Sequence, residues 1–166
     1  MDGRQAIAGR RSAEEVVAQP ITRPGRPDDY ASLIALDTIA THDPARADKI
    51  AGWLAQGLCF CAELEGVIAG YGVLQRHFFG RPFLEMLMVG EDYRGRGIGT
   101  ALIVHAARQS IGEQLWTSTN QSNQPMRRLL EHLGFTPSGV IESLDEGDPE
   151  LIFRLEPGRF HSPFVA

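Results

Sequence analysis

Two kinds of hydrophobic spacing alternate along the chain. Met126, Leu129, Leu130 and Leu133 fall at i, i+3, i+4 and i+7, the stripe of an amphipathic helix that Pro125 opens and Gly134 stops. Ile98, Ala101, Leu102 and Ala106 make another stripe, in a helix expected from about Gly97 to near Gly112. Asp43-Pro44 opens a third helix, because Asp suits the cap and Pro the first helical position. It runs to about Gln56, with Gly57 as its stop. Leu33, Ile34 and Leu36 supply the apolar positions of a helix over about 28–40 with an Asp cap, after Pro24 and Pro27 break a first strand at 19–23. The remaining apolar runs are short and read as strands: 58–64, 67–76, 82–89, 115–119, 135–142 and 150–155. Glu65-Gly66 joins two of them as a tight hairpin.

Two helices, a strand meander and then helix–strand–helix is the order of an α/β fold with a mixed sheet. A length of 166 residues suits one domain, expected over 19–156. Residues 1–18 read as a loose tail with a short helix around Ser12 to Ala18, and 157–166 as a second tail without periodicity. A net charge of −5 supplies no basic field for nucleic acid. Cys59 and Cys61 share one strand face and read as reduced core thiols, too few for a zinc quartet or a disulfide framework. His42, His77 and His105 lack metal-ligand spacing and read as structural or exposed, so no metal site is expected. No apolar stretch approaches a membrane span, and the arginines at 4, 10 and 11 lack the apolar segment of a secretory signal. The expected compartment is the cytoplasm.

The chemistry concentrates at Arg94-Gly95-Arg96-Gly97-Ile98-Gly99, between the strand ending at Val89 and the helix that follows. A glycine-rich turn there exposes backbone N–H groups at a helix N-terminus, where orphan donors and the dipole favour phosphate. Arg94 and Arg96 add guanidinium groups suited to phosphate oxygens. A Walker A loop is excluded by the missing Lys-Ser/Thr pair. A dinucleotide fingerprint fits poorly, since Thr100 occupies its third glycine position and 115–120 carries no acidic residue.

The segment resembles the acyl-CoA loop of the GNAT acetyltransferase superfamily, Gln/Arg-x-x-Gly-x-Gly/Ala, matched by Arg94, Gly97 and Gly99. The run 85–89 before it is similar to the family's fourth strand, and Asn123 with Leu129-Leu130-Glu131-His132-Leu133-Gly134-Phe135 to its second signature. The likeness is strongest over 82–136 and weaker over about 20–156. It implies a mixed, mostly antiparallel sheet of about seven strands with about four helices, splayed between strands 4 and 5. It also implies acetyl-CoA as co-substrate. Backbone groups of Leu87, Met88 and Val89 would pair with its pantetheine arm, and N–H groups of Gly95, Arg96, Gly97, Ile98, Gly99 and Thr100 would hold its pyrophosphate. Asn123 matches an asparagine that contacts the cofactor, with a plain helix cap beside Pro125 as the other reading.

The reaction implied is direct attack of an amine on the thioester, with Glu85 as candidate general base. Strand alternation would put Glu85 on the face of Leu87 and Val89; a solvated surface carboxylate is the alternative. The sequence departs from the family where relatives often carry a tyrosine acid, seven residues after the asparagine. Leu130 stands there, and His132 lies on another helix face. Ser118 stands where some protein N-terminal acetyltransferases have Glu. The acidic loop 145–148 reads either as a lure for a cationic amine or as a solvated hairpin tip. An N-acetyltransferase acting on a small-molecule or peptide amine is therefore the leading expectation. A non-catalytic acyl-CoA-binding module is the second, and a nucleotide-binding protein of another fold a distant third. Homodimers are frequent in the family, and no sequence patch decides the matter here.

Overall fold

The computed structural model describes residues 18–160. The short helix expected from Ser12 lies outside these residues except for its last position, as do the final six residues of the C-terminal tail. Seven strands form one sheet in the order β1-β2-β3-β4-β5-β7-β6. They are β1 (Ile21–Pro24), β2 (Cys59–Leu64), β3 (Val67–Phe78), β4 (Arg81–Val89), β5 (Leu115–Asn120), β6 (Thr136–Ile141) and β7 (Glu150–Leu155). The helices are α1 (Tyr30–Leu36), α2 (Pro44–Ala55), α3 (Ile98–Gln109) and α4 (Gln124–His132). All pairings are antiparallel except β4 with β5.

The sheet separates two cores. Phe60, Ala62, Leu64 and Leu84 pack on one face with Ile98, Leu102 and Ile103 of α3 and Leu130 of α4. Cys59, Cys61, Tyr71 and Val73 pack on the other with Leu33 of α1 and Ile50, Trp53 and Leu54 of α2. Both cysteines are free and buried, and burial pushes each thiol up to about 12. Phe160 of the expected C-terminal tail packs against the first core.

Local chemistry sets most boundaries. The Asp43 side chain accepts from Ala45 N–H, with Pro44 following as the first residue of α2. Glu65 and Gly66 have φ of 53° and 80°, the left-handed pair that a two-residue hairpin needs. The first helix is shorter than the pattern predicts. A 3₁₀ turn occupies Pro27–Asp29, and α1 ends at Leu36 rather than near residue 40. The cause is Asp37. Its carboxylate accepts from the N–H groups of Ile39 and Ala40 and from Tyr71 Oη at 2.7 Å. Those bonds give the backbone an alternative to another helical turn. Nor does the expected Asp cap form: the Asp29 carboxylate instead receives Arg23 and the Arg26 N–H.

The feature that positions the site is the contact between β4 and β5. Only Phe83 with Trp116 and Leu84 with Thr117 are in register. Above them the strands part, so the β5-facing backbone of residues 85–89 has no strand to pair with. The Thr117 hydroxyl donates to the Leu84 carbonyl at 2.8 Å and closes the bottom of the wedge.

Candidate active site

The wedge leads directly into the glycine loop. After β4 the chain makes a short turn over Glu91–Tyr93, and Gly97 then caps α3 with φ 78° and ψ 4°. Gly95 also has positive φ, at 72°. A Cβ at either position would meet nothing within 4 Å, so backbone conformation rather than space calls for glycine there. No side chain caps α3. Its first backbone bond runs from Ala101 N–H to Gly97 C=O, which leaves the N–H groups of Ile98, Gly99 and Thr100 without intrahelical partners. Uncapped donors at the positive end of a helix dipole, beside an open strand edge, fit a pyrophosphate with an extended arm. Gly99 serves a second purpose: a Cβ there would lie 3.2 Å from Leu129 Cδ2, so it lets the start of α3 approach α4.

The predicted cofactor residues lie along this path. Leu87 and Val89 turn their side chains into the α3 core, while Met88 packs on the opposite core, so their shared backbone edge borders the wedge. Arg94 and Arg96 are exposed. The Arg96 guanidinium lies 5.9 Å from the Tyr93 ring centre and 3.8 Å from Glu65. Asn123 caps α4, its Oδ1 accepting from Met126 N–H at 3.2 Å. The cap reading therefore holds for Oδ1, and Nδ2 is the donor left for a ligand.

Glu85 requires a correction. In the β3–β4 register, Leu74 faces Leu84 and Val73 faces Met86, so Glu85 is an extra residue on β4. This bulge breaks the alternation. Leu84, Leu87 and Val89 share the α3 face. Glu85 instead meets β3: Gln75 Nε2 donates to Oε2 at 2.5 Å, and His77 Nε2 lies 2.6 Å from the same oxygen. Gln75 and His77 follow Val73 at two-residue steps on the α1–α2 side of the sheet. Glu85 therefore sits just above the point where β4 and β5 separate, on the side opposite α3. Neither Gln75 nor His77 was singled out as a site residue by its sequence.

The other expected groups divide clearly. Leu130 is fully buried in the α3–α4 core, and His132 is exposed. Ser118 and Trp116 fall on the Glu85 side of β5 by alternation. The acidic loop is tied to the end of β5: Asn120 Nδ2 donates to Asp145 at 2.8 Å, and Ser122 N–H and Oγ both donate to Asp148. Two of its carboxylates are thus already engaged, although the loop stands at the open end of the wedge. Among the described residues no group of His, Cys, Asp or Glu is arranged to hold a metal ion. No described helix is long and apolar enough to cross a membrane.

A glycine-rich turn at an uncapped helix start thus adjoins an open strand edge with a carboxylate at its foot. The chain belongs to the GNAT acetyltransferase family, whose model, described as "Acetyltransferase (GNAT) family", matches residues 28–135. It is thus an acyltransferase of the class that uses acetyl-CoA. A GNAT-family acetyltransferase from Bacillus cereus ATCC 10987 is 29% identical, with 84% of this chain and 98% of that one covered and a TM-score of 0.78. The ribosomal-protein-S18-alanine N-acetyltransferase of Escherichia coli shares the fold at 20% identity, with 89% and 99% covered and a TM-score of 0.68. So does a structure from Bacillus anthracis str. Ames in complex with acetyl coenzyme A, at 21% identity, 58% and 60% covered and a TM-score of 0.52. No curated protein matches by sequence.

Proposed function

We propose that the chain is an acetyl-CoA-dependent N-acetyltransferase acting in the cytoplasm on an amine of a small molecule or peptide, by direct attack within a ternary complex. Residues 19–156 form its single catalytic domain. Backbone groups of Leu87, Met88 and Val89 and the N–H groups of residues 95–100 hold the cofactor, with Arg94, Arg96 and Asn123 Nδ2 at its phosphate end. The observation that carries this reading is the position of Glu85 at the foot of a wedge whose open edge runs into an uncapped helix N-terminus.

An alkylammonium with a pKa near 10.4 must first lose a proton, which at pH 7 costs about 4 to 5 kcal/mol. Glu85 takes that proton, directly or through one water. The free amine attacks the thioester carbonyl, the C–S bond breaks and the amide forms. The attacking nitrogen still carries one surplus proton, and the departing thiolate takes it. This balance needs no protein acid, so Leu130 at the usual tyrosine position does not bar turnover. The buried, strongly protonated Cys59 and Cys61 thiols support direct transfer over an acyl-cysteine intermediate.

A second reading, a non-catalytic acyl-CoA-binding module, draws support from Leu130, which is fully buried and carries no proton to donate. Thermal denaturation with acetyl-CoA, CoA, ATP and NAD, followed by thiol release against an amine library, separates the two. At 100 times its dissociation constant a true ligand adds about 2.7 kcal/mol of stability. Stabilisation by acetyl-CoA with turnover that Glu85→Gln abolishes supports the enzyme. Stabilisation without turnover supports the module. Absence of stabilisation by either CoA species refutes the cofactor site.

A further inference from the structure

Two irregularities in the β3–β4 ladder bring three polar side chains together. Glu85 is the extra residue on β4. On β3, Arg76 and His77 span the interval that Pro82 alone fills on β4, between the pairs Gln75–Phe83 and Phe78–Arg81. Pro82 has no N–H to give the ladder, and a bulge opposite it is the expected accommodation. The β3 bulge turns consecutive residues to one side. His77 reaches Glu85 and lies 5.8 Å from the Phe83 ring, while Phe78 stacks on the same ring at 5.0 Å. The β4 bulge turns Glu85 toward that side as well, next to Met86.

The consequence for the carboxylate is asymmetric. Both Gln75 Nε2 and His77 Nε2 engage Oε2, and no hydrogen bond involves Oε1 among the described residues. Resting on the general-base role proposed above, we infer that Gln75 and His77 are positioning residues. They hold Oε2, fix the rotamer of a side chain on a bulge, and leave Oε1 as the atom that takes the amine proton. Two donors on one oxygen restrain the direction of the carboxylate, and misdirection by about 1 Å can cost about 10²-fold in rate. The ionisable groups facing this stretch are His77 from β3 and, from the helix side, Arg46, which contacts Met86 and Asp37. On β5, Trp116 and Ser118 face it, and neither titrates.

The test measures thiol release with the acceptor amine and binding of acetyl-CoA on the same preparations. In both His77→Leu and Gln75→Met, kcat should fall about tenfold or more, while KM for acetyl-CoA and its stabilisation of the fold hold, which shows that the fold and cofactor site persist. His77→Gln, which keeps a donor, should recover most of the lost kcat. Unchanged kcat in both His77→Leu and Gln75→Met would overturn the inference even if Glu85→Gln is inactive. An active Glu85→Gln would instead overturn the general-base role on which the inference rests.

Discussion

Replacing Gly97 by Ala isolates one energetic contribution to the proposed cofactor site. At φ 78° and ψ 4° the residue is left-handed, and its added Cβ would touch nothing within 4 Å. Steric crowding is therefore absent, and the change acts through backbone conformation. An L-residue in this region costs about 1–2 kcal/mol. Where that cost falls depends on the free loop. If the loop keeps its shape, the folded state bears it, and for a chain of this size the melting temperature drops about 2–4 °C per kcal/mol. If the loop relaxes, the Ile98 and Gly99 N–H groups turn away from their shared direction, and acetyl-CoA must restore it. The dissociation constant then rises about 5- to 30-fold. The two losses should sum to about 1–2 kcal/mol in either case. Urea denaturation of the free protein and calorimetric titration with acetyl-CoA, on the same preparations, measure both. Gly99→Ala is the contrast. Its φ is not positive, and its Cβ would crowd the flexible end of Leu129 at 3.2 Å while touching Leu87 and Val89 at an ordinary 3.9 Å, so its loss should be smaller and lie in stability. A Gly97→Ala protein with both quantities within about 0.3 kcal/mol of wild type would refute the argument.

Three further changes probe the supports of the site. Arg23→Met strips the 8% exposed Asp29 of two guanidinium bonds and should cost about 1–3 kcal/mol at neutral pH. Arg23 above all holds the Asp29 carboxyl below its ordinary 3.8, so the stability it contributes is present above about pH 4 and lost as pH falls further. The gap between wild type and variant in urea denaturation should close in acid, and a gap that persists there would contradict the pairing. Burial lowers the pKa of His105 from 6.5; below that pH the unfolded chain binds a proton that the folded one resists, so stability falls as pH drops. His105→Phe, which retains a ring on Phe60 4.5 Å away, should flatten the fall in melting temperature between about pH 7 and pH 5.5; parallel curves would count against the assignment. Leu130→Tyr should not raise turnover, because the position is a fully buried core site where extra volume costs about 1–3 kcal/mol. A faster variant would show that a proton donor at 130 reaches the thiolate.

The parts of the molecule that the sequence revealed are those whose causes are local. Asp43-Pro44, Glu65-Gly66 and Gly97 each state their backbone conformation in two or three residues, and each forms as expected. The turn and the uncapped helix start proposed to hold the cofactor fall in this category, because glycine spacing before a helical stripe marks both. The α1 terminus was misplaced because Asp37 ends the helix with the help of Tyr71, 34 residues away on β3.

The facing of Glu85 was misread for a related reason. The side chains around it come from β3 and β4, and their facing depends on ladder register. Period-two alternation assumes an unbroken ladder, and the ladder here breaks twice. One break left a trace in the sequence, Pro82 at the head of an apolar strand, a residue with no N–H to give the ladder and one found at bulges. The other, at Glu85, left none. A charged residue in the middle of Leu84-Glu85-Met86 reads as one step of a regular strand. Only the pairing of Leu74 with Leu84 and Val73 with Met86 shows that it is surplus. A carboxylate carried on an extra residue can turn toward Gln75 and His77 without moving Leu84 or Leu87 from the α3 core. The bulge thus lets a hydrophobic strand present a carboxylate at the foot of the wedge while both cores stay packed. That compromise between packing and chemistry is settled in three dimensions, and a one-dimensional pattern has no place to record it.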